Sequence, residues 1–184
     1  EAVANFIKLR DHDGAQLEIR KLALAIKELV EPICPVSVAA LIGDEKVIGW
    51  FQGRMEFGPR ALGGRSIIGD ARSPKMQEVM NLKIKFRESF RPFAPTVLRE
   101  KVSEYFEMSA ESPYMLLVAP VRKELRRPMT EGEERLFGIQ KLNVCRSTIP
   151  AVTHVDYSAR IQTVGSEANP LYRRVLELFH QRHG

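Results

Sequence analysis

Apolar positions along the chain follow first a helical period and then a strand period. From Gln16 to Val30, Leu17, Ile19, Leu22, Leu24, Ala25, Leu29 and Val30 approximate one helical stripe. Pro32 and Pro35 end that helix, because proline has no amide to donate. Ser37 to Leu41 predicts a short second helix with Gly43 as its stop. Lys46 to Gln52 (KVIGWFQ) predicts a strand apolar on both faces, and Ser66 to Gly69 a second strand beyond a glycine loop. Ser73-Pro74 is a helix start, with serine as cap and proline at the first helical position, and the helix should run to Ile84. Pro92 and Pro95 make Phe90 to Leu98 a loop entering a short strand. Glu100 to Met108 predicts a helix with Val102, Tyr105 and Phe106 inward, and Tyr114 to Val121 (YMLLVAPV) another strand. Arg122 to Ile149 lacks a period and reads as a long excursion. Val152 to Val155 and Ala159 to Val164 are strand-like, and Asn169-Pro170 opens a last helix over Leu171 to Arg182.

Interleaved strands and helices define an α/β or α+β class, and their order leaves the sheet topology open. Residues 1–14, with the turn signal His12-Asp13-Gly14, read as a linker from something upstream, and residues 15–184 as one domain. The length of 184 residues supports a real core, and 44% hydrophobic with 28% charged residues is ordinary globular composition. No apolar run reaches the roughly 18 residues of a membrane span, and the N-terminus lacks a signal-peptide pattern. A cytoplasmic location is the expectation. Cys34 and Cys145 stand far apart, outside any metal-ligand spacing, and are expected to be plain thiols.

The net charge of +5 changes the picture through its distribution. Basic residues crowd between Arg54 and Arg91, and three clusters stand out. The first is GRMEFGPRALGGRS, residues 53–66. Its glycines let backbone amides approach an anion, and Arg54, Arg60 and Arg65 carry planar forks suited to phosphate or carboxylate. Glu56 can neutralise one of them. Neither the Walker A nor the dinucleotide spacing is present, and composition alone also allows a turn with solvated arginines. The second cluster holds Asn81, Lys85, Arg87 and Arg91. In an extended segment Lys85 and Arg87 point to one side and can grip one anion; a basic helix end meeting its own dipole is the other reading. Phe86, Phe90 and Phe93 read as core rather than as a base-stacking platform. The third cluster is THVDYSAR, where Ser158 and Arg160 suit a phosphate and His154 can serve as base or anion ligand. A lone His and Asp at a turn also suit a structural role. His12, His180 and His183 look like linker and surface residues. No nucleophile–histidine–acid arrangement is readable.

The stretches GWFQGRMEFGPRALGGRSI, MNLKIKFRESFRPFAPTVL, YMLLVAPV and IPAVTHVDYSARIQTV resemble the C-terminal domain of the NodU/CmcH family of O-carbamoyltransferases, across roughly residues 37–180. The resemblance implies a YrdC-like domain, a twisted mixed sheet flanked by helices. It implies a longer enzyme, in which an N-terminal actin-like domain with a metal site performs the final transfer. The C-terminal domain then makes carbamoyl adenylate from carbamoyl phosphate and ATP, with Mg²⁺ accompanying the nucleotide. The carbamoyl group goes to a hydroxyl of an antibiotic, a nodulation signal or a similar natural product.

The lysine–any–arginine signature of YrdC-like domains matches Lys85-Phe86-Arg87, which the resemblance assigns to phosphate and adenylate binding. Its later serine matches Ser158, and Arg160 stands where other members carry asparagine. Arg54, Arg60 and Arg65, with Glu56 and Ser66, would position carbamoyl phosphate or the triphosphate tail. Asn81, Arg91 and His154 join the same expected site. The family continues past the last helix into an NTSFN-like motif, so the resemblance implies a domain incomplete at its C-terminus. YrdC-like domains also bind double-stranded RNA and act in tRNA modification, which makes a nucleic-acid-binding module the alternative.

Overall fold

Proline opens both of the longest helices, where its missing amide costs nothing and its fixed φ suits the first turn. These are α1 (Pro35–Gly43) and α6 (Pro170–His183). The computed structural model describes residues 34–54 and 56–183. The expected linker and the helix over Gln16 to Val30 lie outside the described residues. Pro35, expected to end a helix, begins one.

The expected mixed class is present, and its strands are short. β1 (Ile48–Phe51) pairs antiparallel with β2 (Arg65–Ile68), placing Trp50 opposite Ser66. β3 (Thr96–Leu98) runs parallel to β6 (Gln162–Val164), and β4 (Val118–Pro120) antiparallel to β5 (Ser158–Arg160). Among the described residues the strands therefore form three two-stranded sheets. The expected strand over Ala159 to Val164 is broken at the fully buried Ile161, so β5 and β6 serve different sheets.

Helix α2 (Met76–Val79) continues as π-helical turns through Met80–Lys85. Ser73 does not cap it: Lys75 holds the cap position without a side-chain bond, and the Ser73 hydroxyl is buried without a partner. The expected helix over Glu100 to Met108 shrinks to a 3₁₀ turn at Arg99–Lys101 and α3 (Val102–Tyr105), after which Phe106 turns extended to bridge Val121. The Arg122 to Ile149 excursion holds α4 (Glu131–Glu134) and α5 (Ile139–Leu142). Thr130 and Glu133 form a reciprocal capping box at α4 that satisfies two otherwise unpaired amides. Val152 to Val155 is not a strand: a 3₁₀ turn, Pro150–Val152, leads into the 154–158 turn.

Two apolar clusters carry most of the packing. One joins α1, β1, β6 and α6 through Ile42, Trp50, Val164, Tyr172 and Val175. The other joins α3, β4 and β5 through Val102, Phe106, Val121, Val152 and Ile161. Burial of the Phe106 ring contributes about 2–3 kcal/mol. Two apolar runs are less buried than their composition suggests. In β1 Trp50 faces the core while Phe51 faces out, because a strand with one partner has one packed face. In Tyr114 to Val121, Met115, Ala119 and Val121 are buried, whereas Tyr114, Leu116, Leu117 and Val118 are exposed. No helix among the described residues is long and apolar enough to cross a membrane.

Candidate functional site

The glycine–arginine loop connects β1 to β2, and its apex is fixed from several sides. The Gly63 carbonyl accepts from Trp50 Nε1 (2.7 Å), Gln52 Nε2 (3.2 Å) and Asn169 Nδ2 (3.0 Å). The Leu62 carbonyl accepts from Gln162 Nε2 (2.7 Å). Glu56 Oε1 accepts from the amides of Leu62 and Gly64, and Ser66 Oγ from the amide of Gly63. Glu56 and Ser66 thus shape the loop from within. Gly63 sits at φ +110°, and a Cβ there would lie 2.6 Å from the Tyr172 ring. Gly63→Ala should therefore lower stability by about 2–4 kcal/mol, read from the urea midpoint.

Of the three loop arginines, Arg65 is the one with an acid: its Nε lies 3.3 Å from Glu56 Oε2. The angle is too poor for a hydrogen bond, so both atoms remain unsatisfied in that sense. Arg54 is exposed and lines a cavity of about 470 Å³ with Gln52, Glu56, Tyr114, Gln162 and Asn169. Arg60 is near enough to Arg160 of β5 for the two charges to interact. Burial first, and the Arg60 charge second, hold the Arg160 guanidinium below its ordinary pKa. The Nε atoms of both are buried without a hydrogen-bond partner. Two guanidiniums that feel each other's charge, neither ion-paired with a carboxylate among the described residues, are complementary to an anion.

In the second cluster the fully buried Asn81 organises the basic segment. Its Nδ2 donates to the carbonyls of Ser89 (2.9 Å) and Arg91 (2.8 Å), and its Oδ1 accepts from Arg87 Nε (2.6 Å). Arg87 also lies over the Phe93 ring at 5.0 Å. The segment is not extended: Phe86 adopts left-handed backbone (φ 49°) between an exposed Lys85 and a tethered Arg87. That geometry removes the shared side expected for the two. Phe86 is 86% exposed, which overturns the expectation of core for that ring; Phe90 and Phe93 are half-buried. Arg91 pairs on the surface with Glu88 at 2.9 Å.

The third cluster is a tight turn. The His154 amide donates to the Ser158 carbonyl (2.8 Å), and Tyr157 takes left-handed backbone at φ 63°. Asp156 Oδ1 accepts from the Ser158 amide (3.0 Å) and hydroxyl (2.7 Å). Those two bonds hold the Asp156 carboxyl below its usual range. Ser158 Oγ is 2.9 Å from His154 Nδ1. Burial lowers the His154 pKa, Asp156 raises it and Arg160 lowers it further.

This third segment is where the clusters meet. Arg160 feels the charge of Arg60 of the first. His154 lines a cavity of about 440 Å³ with Ser89 and Phe90 of the second. Lys85, Arg87 and Arg91 are not among the residues that line it. Sequence reasoning missed Arg146, a 4% exposed residue of the same cavity. Its guanidinium donates to the carbonyls of Lys141, Leu142 and Val144 at the end of α5 and lacks a carboxylate. It sat inside an unpatterned stretch whose local signals gave it no role. Gln52, Gln162 and Asn169, which hold the loop, carried no local signal either. Cys145 is a thiol that donates to the Ser147 carbonyl, and no group of three or more His, Cys, Asp or Glu suited to a metal ion occurs among the described residues.

The fold and this site define an α+β domain built around a cationic glycine loop. The chain belongs to the carbamoyltransferase C-terminal family, whose model matches residues 39–184. It is 67% identical over 142 residues to the protein sll1178 of Synechocystis, covering 77% of this chain and 23% of that protein. It is 44% identical over 149 residues to the nodulation protein NolNO of Sinorhizobium fredii, covering 79% of this chain and 19% of that one. It is 35% identical over 153 residues to the 3'-hydroxymethylcephem-O-carbamoyltransferase of Streptomyces clavuligerus, covering 83% of this chain and 25% of the enzyme. The chain thus spans a quarter or less of the length of each of these three relatives.

Proposed function

We propose that this domain binds carbamoyl phosphate and ATP and forms carbamoyl adenylate, the adenylation half of an O-carbamoyltransferase. Transfer to a hydroxyl of a nodulation-factor or antibiotic type of acceptor then belongs to an actin-like N-terminal domain in a longer protein. The observation that carries the reading is that Arg60 and Arg160 each bury an Nε with no protein acceptor, while the Arg60 charge is felt at Arg160. Both substrates are polyanions, and attack on the α-phosphate of ATP builds charge that fixed guanidiniums stabilise. Water first takes the phosphoryl group of carbamoyl phosphate, which releases inorganic phosphate and carbamate; a carbamate oxygen then bonds to the α-phosphorus of ATP and pyrophosphate leaves. Mg²⁺ arrives with the nucleotide, held by its phosphates. The reading takes support from membership of the family and from the cephem carbamoyltransferase among the relatives.

Calorimetric titration with ATP–Mg²⁺ and with carbamoyl phosphate tests it. Saturable binding of each is expected. Lys85→Ala should weaken ATP binding by about tenfold or more, the range for one charge-assisted phosphate contact. No heat from either ligand would sink the reading. The exposed Phe86 beside Lys85 favours one rival, a nucleic-acid surface. Duplex RNA affinity falling steeply with salt, without response to carbamoyl phosphate, would decide for that rival.

A further inference from the structure

Hydrogen-bond direction in the 154–158 turn is fixed by chemistry. An ionised carboxylate only accepts, so the Ser158 amide and hydroxyl both donate to Asp156 Oδ1. The serine has one hydroxyl proton, and that proton is committed. Toward His154 Nδ1, at 2.9 Å, Ser158 Oγ can then only accept. The ring nitrogen that faces it must carry a hydrogen. Burial and the Arg160 charge disfavour the imidazolium, opposed by the nearby Asp156 carboxylate. The cavity adds Glu78 and Arg146 as its other charged lining. A neutral ring with hydrogen on Nδ1 has a lone pair on Nε2. That nitrogen has no hydrogen-bond partner among the described residues.

The ionised phosphoryl end of carbamoyl phosphate offers only acceptor oxygens and is satisfied by arginines. A carbamoyl group also ends in an amino group, which only donates and finds nothing to accept it among guanidiniums. We propose that Asp156, acting through Ser158, fixes His154 as its Nδ1–H form so that Nε2 accepts a hydrogen bond from the carbamoyl amino group. This rests on the carbamoyl chemistry proposed above. It makes Asp156 a positioning residue and His154 the residue that recognises the carbamoyl amino end of the ligand, apart from its phosphoryl end.

The test is long-range ¹H–¹⁵N correlation of the chain labelled with ¹⁵N-histidine and ¹⁵N-arginine at neutral pH, the arginine signals assigned by replacing Arg60 and Arg160. The four histidines are assigned by replacing each in turn. The expected His154 pattern is a protonated Nδ1 and an unprotonated Nε2. A protonated Nε2 with bare Nδ1 would overturn the relay without any variant being needed. Asp156→Ala releases the serine proton to donate to Nδ1, so the Nε2–H form should become the majority; an unchanged tautomer overturns the positioning role. Carbamoyl phosphate should then move the wild-type Nε2 resonance, and methyl phosphate, which has no hydrogen-bond donor once fully ionised, should not. If carbamoyl phosphate shifts the Arg60 and Arg160 Nε signals and leaves Nε2 in place, this inference falls and the proposed function stands. If it shifts none of them, both fall.

Discussion

Arg160→Met should make the domain more stable and at the same time poorer at binding its anion. The side chain is partly buried, and burial first and the Arg60 charge second lower its pKa, so the folded state disfavours its charge. The sign follows: removing a charge that folding disfavours raises stability near neutral pH. A methionine of similar length keeps the packing of the stem, and a gain of about 1 kcal/mol is the scale for replacing a buried uncompensated charge by an apolar side chain. The same substitution removes one of two guanidiniums waiting for an anion. Loss of a desolvated charge-assisted partner typically costs 2–5 kcal/mol in binding, so carbamoyl phosphate affinity should fall by about 30-fold or more. Thermal unfolding without ligand and calorimetry with it read the two effects separately. A variant that loses stability would show that Arg160 holds the fold together instead of serving a ligand.

Asn81→Ala should be the most damaging single change in the second cluster. The alanine leaves the Ser89 and Arg91 carbonyls without their donor, and Arg87 Nε without its acceptor. Each unsatisfied buried group costs about 1–3 kcal/mol, so the loss should be about 3–5 kcal/mol in a chemical denaturation experiment. Hydrogen exchange should locate the damage to residues 86–92 first, since those carbonyls anchor that stretch. Asn81→Asp separates the contributions: it keeps an acceptor for Arg87 and still abolishes both donations. Similar losses in the two variants would assign the effect to the carbonyls.

What the sequence showed depended on how far each signal reached along the chain. The class, the last helix at Pro170 and the glycine–arginine loop were readable because proline and glycine act on their immediate neighbours, whereas Pro35 reads as the end of a helix and instead begins the one whose middle, Ser37 to Leu41, was legible. The inward set Val102 and Phe106 was also readable from apolar spacing. Ser73-Pro74 misled, because a capping serine works only if the next residues turn at once, and the chain delays to Met76. Phe86 misled because its backbone flips to the left-handed region, which a run of apolar and basic residues does not announce. Ala159 to Val164 looked like one strand, and nothing local marks Ile161 as the point where its partner changes. Arg146 and the amides Gln52, Gln162 and Asn169 stayed hidden for a related reason: their roles exist only through contacts the fold creates.

The bonds on Leu62 and Gly63 also set an order of events. Trp50 and Gln52 reach Gly63 across 13 and 11 residues, whereas Gln162 and Asn169 reach the loop across 100 and 106. Contacts of such different span form at different times, the near ones early and the far ones after the intervening chain has closed. During synthesis the hairpin and its arginines emerge long before the residues that hold the far side of the apex. A nascent chain stopped short of Gln162 would carry the whole arginine loop in an unfinished shape. The final shape of the arginine loop is thus acquired late, when the start of α6 arrives, and the domain ripens from its later residues.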